Sequence, residues 1–249
     1  MPSSSRVAVT RDGILIDGKP LYLLAGQLHY FRWPRADWRD LLVQARDAGL
    51  NTIDTVIPWN LHEPVEGQFD FNDYADLTGY LDLVHELGLY AIVRPAPYIC
   101  AEWENGGFPA WLTARLVSLD SSGRSPTGPA QTDRFGRSPT EPALVRATGL
   151  PLRTTDPAFV EPTLRWFDRL LPLLAERQID RGGPIILVQI ENEHWASGVY
   201  GHDAYQEQQA AWRSRWRRAW PRPGWPTGPW SSWTGSGPVC WASTRTARG

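Results

Sequence analysis

The chain has 249 residues, enough for one large α/β barrel or two ordinary domains, and its formal net charge of −2 argues against a nucleic-acid binder. Seven Arg and no Asp, Glu or Lys fall between residues 212 and 249, so that total conceals an acidic body and a basic end. The start lacks the apolar core of a secretory signal and no apolar run approaches the roughly 18–20 residues of a membrane span, so the composition predicts a soluble cytoplasmic protein with no membrane partner.

Residues 7–26 read as short strands, with Asp12-Gly13 and Asp17-Gly18 supplying turn chemistry. The last of these strands, 21–25, leads into Gln27, Leu28 and His29. A helix follows: Pro34 sits near its start, Trp38, Leu41, Leu42 and Ala45 give its apolar spacing, and Gly49 stops it. Residues 51–57 read as a strand closed by Pro58, residues 74–87 as a helix stopped by Gly88, and residues 89–93 as the next strand. The two strand starts lie about 38 residues apart, in line with a βαβ unit. Residues 118–150 are rich in Ser, Pro, Gly and Thr and contain GRSPT twice, at 123–127 and 136–140; they read as a disordered surface insertion. A helix over 156–177 resumes the pattern, Gly182-Gly183-Pro184 breaks it, and residues 185–190 form the nearly continuous apolar run of a strand buried on both faces. Alternating helices and buried strands predict an α/β fold with a parallel sheet. A barrel and an open doubly wound sheet both fit; no GxGxxG follows any strand, which weighs against a dinucleotide-binding fold.

In a barrel, functional residues cluster at the C-terminal ends of the strands. Four such ends are readable. They offer Gln27 and His29; then Pro58, Trp59, Asn60, His62 and Glu63; then Arg94, Pro95, Tyr98 and residues 100–104; then Glu191, Asn192 and Glu193. Carboxylates and amides can bond sugar hydroxyls while indole faces cover the C–H patches of the ring. Taken singly, Glu63 also suits a turn or helix start, Trp59 and Trp103 suit a core, and His29 and His62 suit structural roles. Asn192-Glu193 stands out, because an apolar strand ending in Glu-Asn-Glu puts charge where burial is costly; a solvated loop is its plainer alternative. No HExxH motif is present, and two cysteines about 140 residues apart make neither a disulfide framework nor a CxxC metal site, so no metal is expected.

Three long stretches resemble glycoside hydrolase family 35, the β-galactosidases: HYFRWPRADWRDLLVQARDAGLNTIDTVIPWNLHEPVEGQFDF, RPAPYICAEWENGGFPAWL and GGPIILVQIENEHW. The similarity covers residues 21–195 apart from the insertion. It implies a (β/α)8 TIM-type catalytic barrel, hydrolysis of terminal β-D-galactosyl residues from β-galactosides with retention, a β-galactoside substrate and no cofactor. By position it makes Glu193 the acid/base and Asn192 the residue that bonds the sugar 2-hydroxyl. Ala101 and Glu102 match galactose-binding positions, with Tyr98 and Cys100 lining the same loop. Two departures stand out. Val56 takes the place where the family usually has a sugar-contacting Tyr, and Ala96 replaces a Gly.

The resemblance also implies a second Glu, the nucleophile, near the end of a seventh strand. Only 56 residues follow Glu193, too few for four more βα units of about 30 each, so the barrel is expected to be truncated after about strand four, with the nucleophile absent and the chain inactive alone. Residues 1–211 then form a partial barrel domain. Residues 212–249 hold seven of the fourteen tryptophans amid Pro and Gly, and read as a non-native or disordered tail, translated out of frame, or as a basic Trp-rich arm. A non-catalytic galactoside-binding remnant, another retaining glycosidase of the same clan, and a fragment that does not fold stably are the competing expectations.

Overall fold

The computed structural model describes residues 6–11, 13–95, 97–115, 152–153, 157–189, 192 and 240–241. The chain opens with an antiparallel sheet of β1 (Val7–Thr10), β2 (Gly13–Ile16) and β3 (Lys19–Leu21) in that order. Asp17 and Gly18, with φ of 50° and 77°, join β2 to β3, as a two-residue type I′ loop requires.

The main sheet holds β4 (Ala25–Gln27), β5 (Thr52–Val56), β6 (Tyr90–Arg94) and β7 (Ile185–Gln189), parallel and adjacent in chain order. Helices α1 (Trp38–Asp47), α3 (Leu77–Glu86) and α5 (Pro157–Ala175) lie in the three crossovers, with the short α2 (Trp59–His62) after β5 and α4 (Ala110–Arg115) after β6. The predicted α/β class with a parallel sheet is what these elements form. A fifth strand, β8 (Cys240–Trp241), which falls inside the 212–249 segment, runs antiparallel along β7. The sequence carries no signal for that strand: a strand edge with unpaired N–H and C=O groups accepts a neighbour in either direction. The insertion expected over 118–150 lies wholly outside the described residues, as does the rest of 212–249.

The helices end where the glycines require it. After α1, Gly49 adopts φ 98°, its N–H bonds the Arg46 carbonyl at 2.9 Å, and the Leu50 N–H bonds the Ala45 carbonyl at 3.1 Å. After α3, Gly88 at φ 74° and Leu89 repeat the pattern on His85 and Val84. Both are Schellman caps, which only a residue tolerant of positive φ closes cheaply. Each cap turns the chain directly into the next strand. At the other end of α3, the Asp76 carboxylate accepts from the Gly79 N–H at 2.8 Å.

The expected strand over 21–25 does not exist as one element. Leu21 ends β3 in one sheet, and Ala25 begins β4 in the other. Between them the Asn51 side chain donates to the Tyr22 carbonyl at 2.7 Å and accepts from the Leu24 N–H at 3.1 Å. Those backbone groups are thereby taken by a residue 27–29 positions away, and the run bends from one sheet to the next.

Strand alternation divides the core. Ile53, Ala91 and Val93 pack with Leu42, Leu81, Val84, Leu170 and Leu174 of the helices. Ile92 and Ile186 pack with Val7 and Ile16 of the small sheet and with Ile179. Arg6 ties the small sheet down, donating to the Asp180 carboxylate at 2.9 Å from its backbone and to the Ile179 carbonyl at 2.9 Å from its guanidinium.

Candidate active site

Alternation puts Gln27, Asp54 and Arg94 on the sheet face opposite the helices. Asp54 takes the Arg94 guanidinium through Nε at 2.9 Å and Nη2 at 2.6 Å, with Gln27 Nε2 3.5 Å from the same carboxylate. Both partners are largely buried, at 13% and 17% side-chain exposure, where a forked pair is worth more than on the surface. Arg94 Nη1 lies 3.4 Å from Asn192 Oδ1, beyond the end of β7. One polar side chain from each of four successive parallel strands or their ends thus forms a connected row. Asn192 itself is buried. Glu193 lies outside the described residues.

The segment after β6 supplies the other wall. Cys100, Ala101 and Glu102 have φ of 54°, 52° and 45°, three consecutive non-glycine residues in the left-handed region, each costing roughly 1–2 kcal/mol. Such strain persists where surroundings over-determine it. Here the Trp103 N–H bonds the Cys100 carbonyl at 3.0 Å, the Ile99 N–H bonds the Gly106 carbonyl at 2.9 Å, and Arg32 donates to the Ala101 carbonyl. Glu102 is exposed; Tyr98, Cys100 and Ala101 are half-buried. Cys100 carries a free thiol. Trp103 donates its indole N–H to Asn60 Oδ1 at 2.9 Å and meets Phe31 edge-on at 4.6 Å between ring centroids.

Gly106 keeps this segment closed against Tyr98: at φ 61°, an added Cβ would lie 2.2 Å from Tyr98 Cε2. Gly106→Ala is expected to cost about 2–3 kcal/mol, from the left-handed penalty plus overpacking, read as a drop in the thermal midpoint. A variant as stable as the parent would mean that the segment is not held in this conformation.

Arg153 joins the two walls. Its guanidinium lies 4.4 Å from the Tyr98 ring centroid and its Nη2 donates to the Asn192 carbonyl at 2.6 Å. Of the residues expected to bind or act on a sugar, Tyr98 and Asn192 are therefore brought together, while Cys100, Ala101 and Glu102 share the strained turn beside Tyr98.

Other residues from the strand ends have structural work. Glu63 is buried; its carboxylate accepts from the Trp59 indole at 2.5 Å and the Gly67 N–H at 2.7 Å, closing the turn it begins. Trp59 is fully buried core. His62 lies between Tyr30 and the Asp70 carbonyl. The buried His29 accepts from the Val56 N–H at 3.4 Å, and burial, with Arg32 adding to it, holds its pKa down to about 4. Val56, where the family usually has Tyr, is 1% exposed and paired in register with Arg94. Asp54, Arg32 and Arg153 are not among the residues that the sequence singles out. Asp54 had a signal, as the one charge inside TIDTV; Arg153 had none, because its partner is 39 residues away.

Residues 13–125 and 142–233 match the profile described as glycosyl hydrolases family 35, a match that skips part of the insertion and runs past residue 212. The beta-galactosidase of Macaca fascicularis is 40% identical over 188 residues, which are 76% of this chain and 23% of that protein. That of Homo sapiens is 40% identical over 185 residues, 74% of this chain and 23% of that protein. The exo-beta-D-glucosaminidase of Thermococcus kodakarensis is 38% identical over 183 residues, 72% of this chain and 21% of that protein. The chain thus spans less than a quarter of the length of these relatives, and within that span it belongs to glycosyl hydrolases family 35.

Proposed function

We propose that this chain carries the acid/base side of the active site of a retaining β-galactosidase, on the first four strands of a (β/α)8 barrel. The strict chain order of four adjacent parallel strands supports the barrel: a doubly wound sheet reverses its strand order, whereas a barrel never does. The observation that carries the function is the joining of Asn192 to Tyr98 through Arg153, because it sets the end of β7, where Asn-Glu stands, against the segment after β6.

In this reading Glu193 protonates the glycosidic oxygen as the bond to the aglycone breaks, then takes a proton from the water that resolves the covalent intermediate. Asn192 bonds the 2-hydroxyl, where hydrogen bonds strengthen in the transition state. Tyr98, Cys100, Ala101 and Glu102 line the galactose subsite. Double displacement also requires a second carboxylate about 5–5.5 Å from Glu193, and none among the described residues is assigned that part.

The test pairs turnover with binding. The purified chain is titrated with methyl β-D-galactoside and assayed on a chromogenic β-galactoside, beside Glu193→Gln. Sugar binding is expected in both proteins. Any turnover by the parent is expected to fall about 10²–10⁴-fold in the variant. Equal turnover by the two would remove Glu193 from the mechanism. Binding with no turnover by the parent would leave a galactoside-binding remnant. A second reading is favoured by the 38% identity to an exo-glucosaminidase and by Val56 in the Tyr position: a related retaining glycosidase of different sugar preference. A preference for a β-glucosaminide over the galactoside would support it.

A further inference from the structure

We infer that Arg94 and Arg153 are positioning residues that grip Asn192 from two sides and turn its amide NH2 toward the substrate 2-hydroxyl. The inference rests on the assignment of Asn192 to that hydroxyl.

An asparagine amide rotates in a broad two-fold well, and its two ends are chemically opposite: one accepts, one donates. A guanidinium has donors only. The amide atom 3.4 Å from Arg94 Nη1 is therefore the oxygen, and the NH2 points away from Arg94. The reversed amide would set donors against donors. Arg94 cannot follow such a flip, because Asp54 holds its Nε and Nη2 in a fork at 2.9 and 2.6 Å, leaving Nη1 as the group extended toward Asn192.

Arg153 acts on the main chain. The Asn192 carbonyl that it bonds at 2.6 Å belongs to the peptide link leading into Glu193. Its own orientation is set by the Tyr98 ring beneath it, and the residue is 8% exposed. Arg94 thus sets the rotation of the side chain, and Arg153 sets the plane of the peptide that carries it. Neither guanidinium is assigned to the sugar. Their contribution is that the amide is already turned before substrate arrives, so no ordering is left to be done on binding.

The 249-residue chain is titrated calorimetrically with methyl β-D-galactoside and with its 2-deoxy analogue. The parent is expected to prefer the 2-hydroxy sugar by about tenfold, the scale of one hydrogen bond. Arg153→Met and Arg94→Met are each expected to bring that preference close to unity, chiefly by weakening the 2-hydroxy sugar. Arg153→Lys, which keeps a donor, is expected to restore part of it. A variant that merely loosened the fold would weaken both sugars alike and leave their ratio unchanged, which would overturn the inference. Arg94→Lys keeps a cation opposite Asp54 and serves if Arg94→Met does not fold. An independent readout on the parent is the Asn192 side-chain NH2 resonance, identified by its loss in Asn192→Asp. It is expected to shift with the 2-hydroxy sugar and not with the 2-deoxy sugar, and equal shifts with both would also overturn the inference. If the parent binds neither sugar, the proposed function itself fails. If it binds both equally, the assignment of Asn192 fails, and the inference with it.

Discussion

Replacing Trp166 with alanine is expected to destabilise the chain by about 3–5 kcal/mol, as for other large-to-small changes at fully buried aromatic sites. The residue is 0% exposed on α5, and its ring lies nearly parallel to those of Trp59 at 6.0 Å, His62 at 5.8 Å, Phe69 at 6.4 Å and Phe71 at 6.4 Å. Among the described residues it is the ring common to all four contacts, and it joins α2 and the turn after it to α5. An alanine there leaves a cavity bounded by four rigid rings that cannot collapse into it. The indole N–H of Trp166 has no hydrogen-bond partner among the described residues, so Trp166→Phe removes an unsatisfied donor along with part of the ring. That variant is expected to cost about 1 kcal/mol, since an unpaired buried donor carries a penalty of about 1–3 kcal/mol. Urea titration of both variants, compared at equal m-values, checks the pair. An alanine variant within about 1 kcal/mol of the parent would show that this stack is not core.

The elements that were legible in the sequence are those whose causes are local. Gly49 and Gly88 mark two helix ends because the Schellman cap needs residues in sequence: the apolar stripe before, the glycine, then the strand. The run over 185–190 announces a doubly buried strand by composition alone, and β7 occupies Ile185–Gln189. What was not legible depends on distant partners. The run 21–25 looks like one strand until Asn51 is folded back onto it. The left-handed turn at Cys100, Ala101 and Glu102 carries no glycine, so its conformation shows no cue in residue type; it is held by Arg32 and by the glycines that follow. The candidate site divides the same way. Asn192, Tyr98 and the 100–102 segment were identified through motif resemblance, while Arg153, which joins them, stands beside a stretch of low-complexity sequence and has no local signature.

Lowering the pH from about 6.5 to about 4 is expected to remove roughly 3 kcal/mol of stability through His62 alone, with His29 adding in the same direction. His62 is 0% exposed, and its Nδ1 lies 2.8 Å from the Asp70 carbonyl. A carbonyl only accepts, so the ring hydrogen sits on Nδ1, and Nε2 accepts from the Tyr30 hydroxyl at 2.5 Å. A second proton on Nε2 would oppose that hydroxyl and place a charge in an apolar pocket against Phe71, whose ring is stacked at 4.5 Å. Burial accordingly holds the pKa down to about 4 from 6.5, although the Asp70 carbonyl pulls the other way. Between those two values the unfolded chain carries a proton that the folded chain refuses, so stability falls as pH falls, and this contribution stops changing below about 4. Carboxylates act in a lower window. At Asp76, burial is outweighed by bonds from Gly79, Thr78 and Arg35, which hold the carboxyl below its usual value, so the stability it contributes is lost only as pH falls below about 4. His62→Gln separates the two. It removes the titrating group and is expected to lower stability at pH 7, where the Tyr30 and Asp70 partners are less well met. It should also flatten the decline between pH 6.5 and 4.5. Urea unfolding of parent and variant across that window provides the measurement, and parallel curves would assign the acid sensitivity to some other group.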